Sequence, residues 1–249
     1  MVNIRKVKEK GRKLPNVLNN KQLLQLFSVI TDTDVFVACL LALCCGLRIS
    51  EVCNLKKQDV NFEDGKIKVV QGKGGKDRYV MLPDKLKPLL EKWFRANDAE
   101  YVIPAMFKEK LNTAQLSLHF RKYLRKADLS IELYRNSMGQ PRHAYSFHTL
   151  RHTYATYLLD KGVDIYYVQR ALGHSDIHTT QIYTHVSNKD LQAKINAAFG
   201  TKALTGKTHE LLDTALEILQ VRFAQGDISF EEYTDKLQVL EKSETFKYN

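Results

Sequence analysis

The chain has 249 residues, 44% of them apolar and 27% charged, with a formal net charge of +10. That length and apolar content supply material for one large domain, or one domain and a smaller unit, and exclude a wholly disordered chain. The charge is uneven: residues 201–249 hold 6 basic and 9 acidic side chains, a net of −3, which leaves +13 on residues 1–200. The basic part would attract a polyanion in a salt-sensitive way, although charge alone fits a solvated basic surface equally well.

Residues 1–13 carry six basic side chains and one acidic one without apolar periodicity, so they are expected to form a basic N-terminal arm that contacts phosphates. They have no secretory architecture, and the apolar run at 35–45 is too short for a membrane span. A soluble, cytoplasmic protein is expected. Asn19 or Asn20 can cap a helix that uses Leu23, Leu24, Leu26, Phe27 and Ile30. A second helix covers 35–45, and Gly46 separates it from a further apolar face at 47–55. Cys39, Cys44, Cys45 and Cys53 lack paired metal-ligand spacing and are expected to be small buried hydrophobes in a reducing compartment.

Ile67, Val69 and Val70 alternate with Lys66, Lys68 and Gln71, and Tyr79 to Leu82 form a second apolar run. Gly72, Gly74 and Gly75 lie between them, which predicts a β-hairpin or small antiparallel sheet. Helices are predicted at 89–94, entered through Pro83 and Pro88, and at 113–127, with Leu116, Phe120 and Leu124 on one face. Gly139 and Pro141 mark a loop before Ser146, the expected cap of a helix reaching Leu159. Gly162 ends that helix, and a short one follows at 165–172. A short helix or turn at 179–185 and a helix at 188–199 complete the main unit, which is assigned to residues 14–200. Beyond Gly206, the apolar rows Leu211 to Phe223 and Phe230 to Leu240 predict two helices in an acidic extension, 201–249, too small to build a core alone.

Several side chains could handle a phosphate. Arg48, in CGLRISEV, could place several donors on nonbridging oxygens; taken alone it reads first as a surface or salt-bridging residue, with Glu51 three positions on as its partner. Lys73, in QGKGGKDR, could project from the hairpin and protonate a leaving oxygen, or be a solvent-facing turn residue, with Lys76 and Arg78 as competing DNA-phosphate contacts. GKGGK is not a nucleotide-binding P-loop, because the longer glycine motif and the following Ser or Thr are missing. In FHTLRHTYA, His148 and Arg151 sit at i,i+3 and can share a helical face, whereas His152 fits a packing role. HTLRH lacks the glutamate and third ligand of a hydrolytic zinc helix. His174, in ALGHSD, could donate to a phosphate oxygen or act as a local cap. Tyr183, in QIYTHV, is a phenol that could attack phosphorus if a site removes its proton and surrounds the charge with donors; alone it would be read as core or interface.

Taken in order, these residues resemble the catalytic domain of the tyrosine recombinase or phage integrase family, including its Xer-like branch, over about residues 14–199. Arg48 matches the family's first arginine, Lys73 its hairpin lysine, His148 and Arg151 its HxxR motif, His174 its LGH motif and Tyr183 its nucleophile. The resemblance implies a mainly α fold with a small antiparallel β-sheet. It implies site-specific DNA recombination by cleavage and religation through a 3′-phosphotyrosine, without cofactor or metal. The implied partner is double-stranded DNA, with a recombinase tetramer assembled on it.

Close alternatives are a topoisomerase-like enzyme that rejoins without exchanging partners and a DNA-binding protein that does not cleave. Many members carry an N-terminal DNA-clamping domain; with only 47 residues before Arg48, it is expected to be absent or the chain to be a fragment. The 201–249 extension resembles the short helical module SHOCT, which implies a role in oligomerisation, and a helical hairpin docked on the main unit is the alternative.

Overall fold

Helix α2, Thr33–Cys45, is apolar around its whole circumference and is therefore the element the others pack on. Every residue from Val37 to Cys45 is buried, including Cys39, Cys44 and Cys45, and Cys53 joins the same core. Burial pushes the Cys44 thiol up to about 12, as expected of cysteines used as small hydrophobes. The computed structural model describes residues 15–70, 77–96, 98–105, 110–173 and 188–200. The 1–13 arm, the 72–75 glycines, the predicted turn at 179–185 and the 201–249 extension lie outside the described residues.

Around α2 are α1 (Asn20–Val29), α3 (Ile49–Asn54), α4 (Lys87–Arg95), α5 (Thr113–Lys126), α6 (Phe147–Asp160), α7 (Ile165–Ala171) and α8 (Asn188–Gly200). Local chemistry sets where several of them begin. The Asn19 side chain accepts from Gln22 N at 2.9 Å while Gln22 Oε1 accepts from Asn19 N at 3.0 Å, and Asn112 and Gln115 repeat this reciprocal cap at α5. Asp164 caps α7 through Tyr166 N at 2.8 Å. Chain beyond the helix boundaries is tied in as well: Thr153 Oγ1 on α6 accepts from Leu18 N at 3.0 Å.

The predicted hairpin is present as β2 (Lys66–Val69) and β3 (Arg78–Met81), antiparallel with Ile67 opposite Val80 and Val69 opposite Arg78. A two-residue strand not foreseen from the sequence, β1 (Val60–Asn61), extends it to a three-stranded sheet in the order β1-β2-β3. The segment predicted as a plain loop before Ser146 is a second hairpin, β4 (Glu132–Arg135) and β5 (Pro141–His143), turning at Gly139 with φ 73°. Every residue of β4 is exposed, so no alternation of apolar and polar residues announced it. Among the described residues no helix is long and apolar enough to cross a membrane.

Two turns bring the ends of α2 and α7 onto α6. Gly46 ends α2 at φ 65°, and a Cβ placed there would lie 2.6 Å from the Tyr154 ring of α6. Gly173 follows α7 at φ 66°, and a Cβ there would lie 2.0 Å from Arg78 Nε. Both positions therefore need left-handed backbone and close approach together. Gly46→Ala should destabilise the fold by about 1–2 kcal/mol for the backbone alone, and more because the Tyr154 ring must move. A urea unfolding curve with an unchanged midpoint would contradict this account.

Candidate active site

Arg48 is the residue at the N-terminal boundary of α3, with extended backbone (φ −75°, ψ 156°). Glu51 lies three residues in, where a carboxylate can accept from the boundary residue's own N–H, and it does so through Oε2 at 2.8 Å. Its other oxygen accepts from Arg48 Nη1 at 2.8 Å. The same carboxylate accepts a two-pronged bond from Arg78 of β3, Nη1 to Oε1 and Nη2 to Oε2, each at 2.9 Å. Arg151 of α6 approaches Oε2 at 3.9 Å. One side chain, 7% exposed, thus collects three guanidinium groups from three elements.

The acidity of Glu51 follows from competing effects. Burial pushes its pKa up, but hydrogen bonds from Arg78 and Arg48 and the charge of Arg78 outweigh burial and bring it down to about 2. Sequence reasoning met Glu51 only as a partner that would explain Arg48 away. The usable signal was its spacing: i+3 from an arginine that follows a helix-ending glycine.

Arg151 is 4% exposed and is held from both sides. Its Nη1 donates to the Gly46 carbonyl and its Nη2 to the Leu172 carbonyl at 2.7 Å. Those carbonyls terminate α2 and α7, so the guanidinium satisfies two helix ends that would otherwise be buried without partners. Burial, then the nearby Arg48 charge, lowers its pKa to about 10, which leaves it protonated at neutral pH. Arg48 is the more open of the two, with a side chain 23% exposed against 5%.

His148 opens the same helix one turn before Arg151. Burial, then the charges of His152, Arg151 and Arg48, lower its pKa, with Glu51 acting in the opposite direction. A neutral imidazole is therefore favoured, the form that accepts a proton. His152 packs edge-on against His148 with ring centroids 4.8 Å apart, and its own pKa is lowered by burial and then by Arg151.

Of the residues singled out from the sequence, Arg48, His148 and Arg151 are brought into one electrostatic cluster around Glu51. Arg78, expected to contact DNA phosphate, spends both terminal nitrogens on Glu51. Lys73, Lys76, His174 and Tyr183 lie outside the described residues. No group of three or more His, Cys, Asp or Glu side chains suited to a metal occurs among the described residues.

Residues 16–190 match the model of the phage integrase family. The chain belongs to that family. Among its relatives is the tyrosine recombinase XerA of Thermococcus kodakarensis (strain ATCC BAA-918 / JCM 12380 / KOD1), 38% identical over 191 residues, with 73% of this chain and 62% of that protein covered. The crystal structure of a XerA recombinase superposes with a TM-score of 0.54 at 27% identity, covering 72% of this chain and 64% of the other. A XerH site-specific recombinase, solved bound to its difH substrate in a pre-cleavage complex, gives a TM-score of 0.51 at 28% identity, covering 73% and 54%. The fold is therefore that of tyrosine recombinase catalytic domains, mainly helical with small antiparallel sheets. This family member spans just under two thirds of the curated relative's length.

Glu51→Gln should leave the arginines with a weaker, neutral partner. Because the folded pKa of Glu51 is depressed, the wild type holds its full contribution above the ordinary carboxylate range and loses it as pH falls from about 4.5 to about 2. The contribution is on the order of 3 kcal/mol at neutral pH. Unfolding free energies measured against pH should show an acid-side slope that is reduced in Glu51→Gln. Parallel profiles would contradict this role.

Proposed function

We propose that the chain is a tyrosine-type site-specific DNA recombinase that cleaves and rejoins strands through a 3′-phosphotyrosine. The observation that carries the reading is the Glu51-centred cluster. It gathers Arg48, Arg151 and His148, three members of the ordered motif set, although 103 positions separate Arg48 and Arg151 in the chain. The matched family supports the same reading.

In this proposal Tyr183 Oη attacks phosphorus, and the bond from phosphorus to the 5′ oxygen breaks. Lys73 gives the departing oxygen its proton, while His148, with His174 assisting in proton handling and phosphate hydrogen bonding, accepts the phenolic proton. Arg48 supplies donors to the nonbridging oxygens as charge builds, and Arg151 adds fixed positive charge from beneath. The phosphotyrosine keeps the energy of the phosphodiester, so the free 5′ hydroxyl can reverse the step without ATP, and no metal or cofactor is called on. Double-stranded DNA is the substrate, with four subunits assembling on it. Residues 14–200 form the catalytic unit, flanked by the basic arm at 1–13 and the acidic, SHOCT-like extension at 201–249, to which we assign self-association. We place the protein in the cytoplasm, on DNA.

A nicked suicide substrate tests the chemistry. Wild-type protein should become covalently attached to the DNA, and Tyr183→Phe should give no adduct. Arg48→Ala should slow attachment about 10²–10³-fold. Sequencing the attached ends identifies the target, and absence of adduct on that cognate site would favour a DNA-binding protein that does not cleave. Since the surroundings of His148 favour its neutral form, cleavage should persist on acidification below the ordinary imidazole range before it falls. An acid limb at or above that range would argue against His148 as the proton acceptor.

A further inference from the structure

A groove of about 700 Å³ opens beside Arg48, with Glu51 itself in its lining. Its walls come from α3 and the segment after it, from β2, and from Tyr101; Arg48, Asn54, Lys56, Lys68 and Val70 all face it. The two lysines are exposed enough to meet a ligand, with side chains 34% and 41% accessible. A third joins them: Lys110 Nζ donates to Asn54 Oδ1 at 2.7 Å. Lys56 and Lys110 also share the Tyr101 ring, at 5.5 and 5.9 Å from its centroid, so one aromatic side chain holds two cations in place.

The charge balance of this region favours an anion. Glu51 is already engaged by three guanidinium groups. Asp59 accepts from the Lys56 backbone N–H at 3.2 Å and serves as a local cap. Lys56 meets Glu100 at 2.8 Å and Lys68 meets Asp77 at 3.1 Å, and both carboxylates stand at the solvent edge, 60% and 44% exposed. Ion pairs between such exposed groups contribute little to stability. A phosphate arriving with release of its counterions can therefore displace either carboxylate readily.

Resting on the recombinase reading, we propose that this groove seats the sugar-phosphate backbone of the DNA strand that passes Arg48, with Lys56, Lys68 and Lys110 contacting phosphates beyond the reacting one. Glu100 and Asp77 occupy those lysines until DNA arrives. The groove thus contributes affinity and strand alignment, while Arg48 stays with the reacting phosphate.

Binding of the full-length protein to a 30-base-pair duplex, titrated across KCl concentrations, tests this. Lys56→Ala, Lys68→Ala and Lys110→Ala should each weaken binding several-fold and reduce the slope of log K against log salt by about 0.9. Glu100→Gln should act in the opposite direction and tighten binding, because it frees Lys56 for phosphate. A purely structural ion pair predicts the reverse pattern: Lys56→Ala and Glu100→Gln would lower the melting temperature together and shift binding the same way. That result, or an unchanged salt slope in all three lysine variants, overturns the proposal. Adduct formation by the same variants separates the two readings. If the lysine variants bind like wild type yet still attach covalently through Tyr183, the groove inference alone falls; if wild type forms no adduct and binds no duplex, the recombinase reading falls and takes the groove inference with it.

Discussion

The carboxylate of Glu51 is the constraint on which the rest of the site depends. Three guanidinium groups cannot share a partly buried space unaided: two like charges about 4 Å apart cost roughly 4 kcal/mol at the effective dielectric of a protein surface. Glu51 resolves this by giving Oε1 to Arg48 and Arg78, and Oε2 to Arg78, to the Arg48 backbone N–H and, at 3.9 Å, to Arg151. Its position is fixed by secondary structure, because the third residue of a helix points its side chain back at the boundary N–H. One carboxylate therefore both caps α3 and anchors the cationic cluster. A buried ion pair is weak evidence for stability, since desolvation can cancel the attraction. Here its consequence is geometric, as it joins β3 and α6 to α3 at one point.

Arg151 extends that geometry into the core. By donating to the carbonyls that end α2 and α7, it converts two helix termini into a single buried joint. The left-handed glycines at those ends are what let the carbonyls turn toward it. The two arginines of the motif therefore have different mechanical parts. Arg151 is a strut whose charge is fixed in place, and Arg48 is the more open of the two.

Much of this was legible in the sequence for identifiable reasons. Helices with caps and one apolar face, such as Asn20–Val29 and Thr113–Lys126, begin within a residue of where their capping and periodicity place them. The β2–β3 hairpin was announced by alternation, and the buried cysteines by their apolar neighbours. What escaped was structure without a pattern: β1 is two residues long, and β4 faces solvent throughout, so neither carries a period-2 signal. In the site, residue types and order pointed to Arg48, His148 and Arg151, because phosphate chemistry requires such groups. They did not point to Glu51, since an acid beside an arginine looks like neutralisation until a second and a third arginine arrive from β3 and α6. Such convergence is a property of tertiary structure, and short-range spacing shows only its first pair.

Arg78 illustrates how the same chemistry can be spent in two ways. Its position at the start of β3, just after the glycine-rich segment, made it a reasonable candidate to contact DNA. Its terminal nitrogens are instead turned inward onto Glu51, and its shaft lies over Gly173. With both prongs on one carboxylate, Arg78 orders Glu51 and adds to the positive field around Arg48. Lys56 and Lys68 differ from it on each count that matters for a ligand. They are more exposed, they meet carboxylates at the solvent edge, and they are flexible point charges with no planar fork to match. Among the described residues, the basic side chains near the site thus fall into an inner set, Arg48, Arg78 and Arg151, gathered by Glu51, and an outer set, Lys56 and Lys68, whose carboxylate partners stand at the solvent edge.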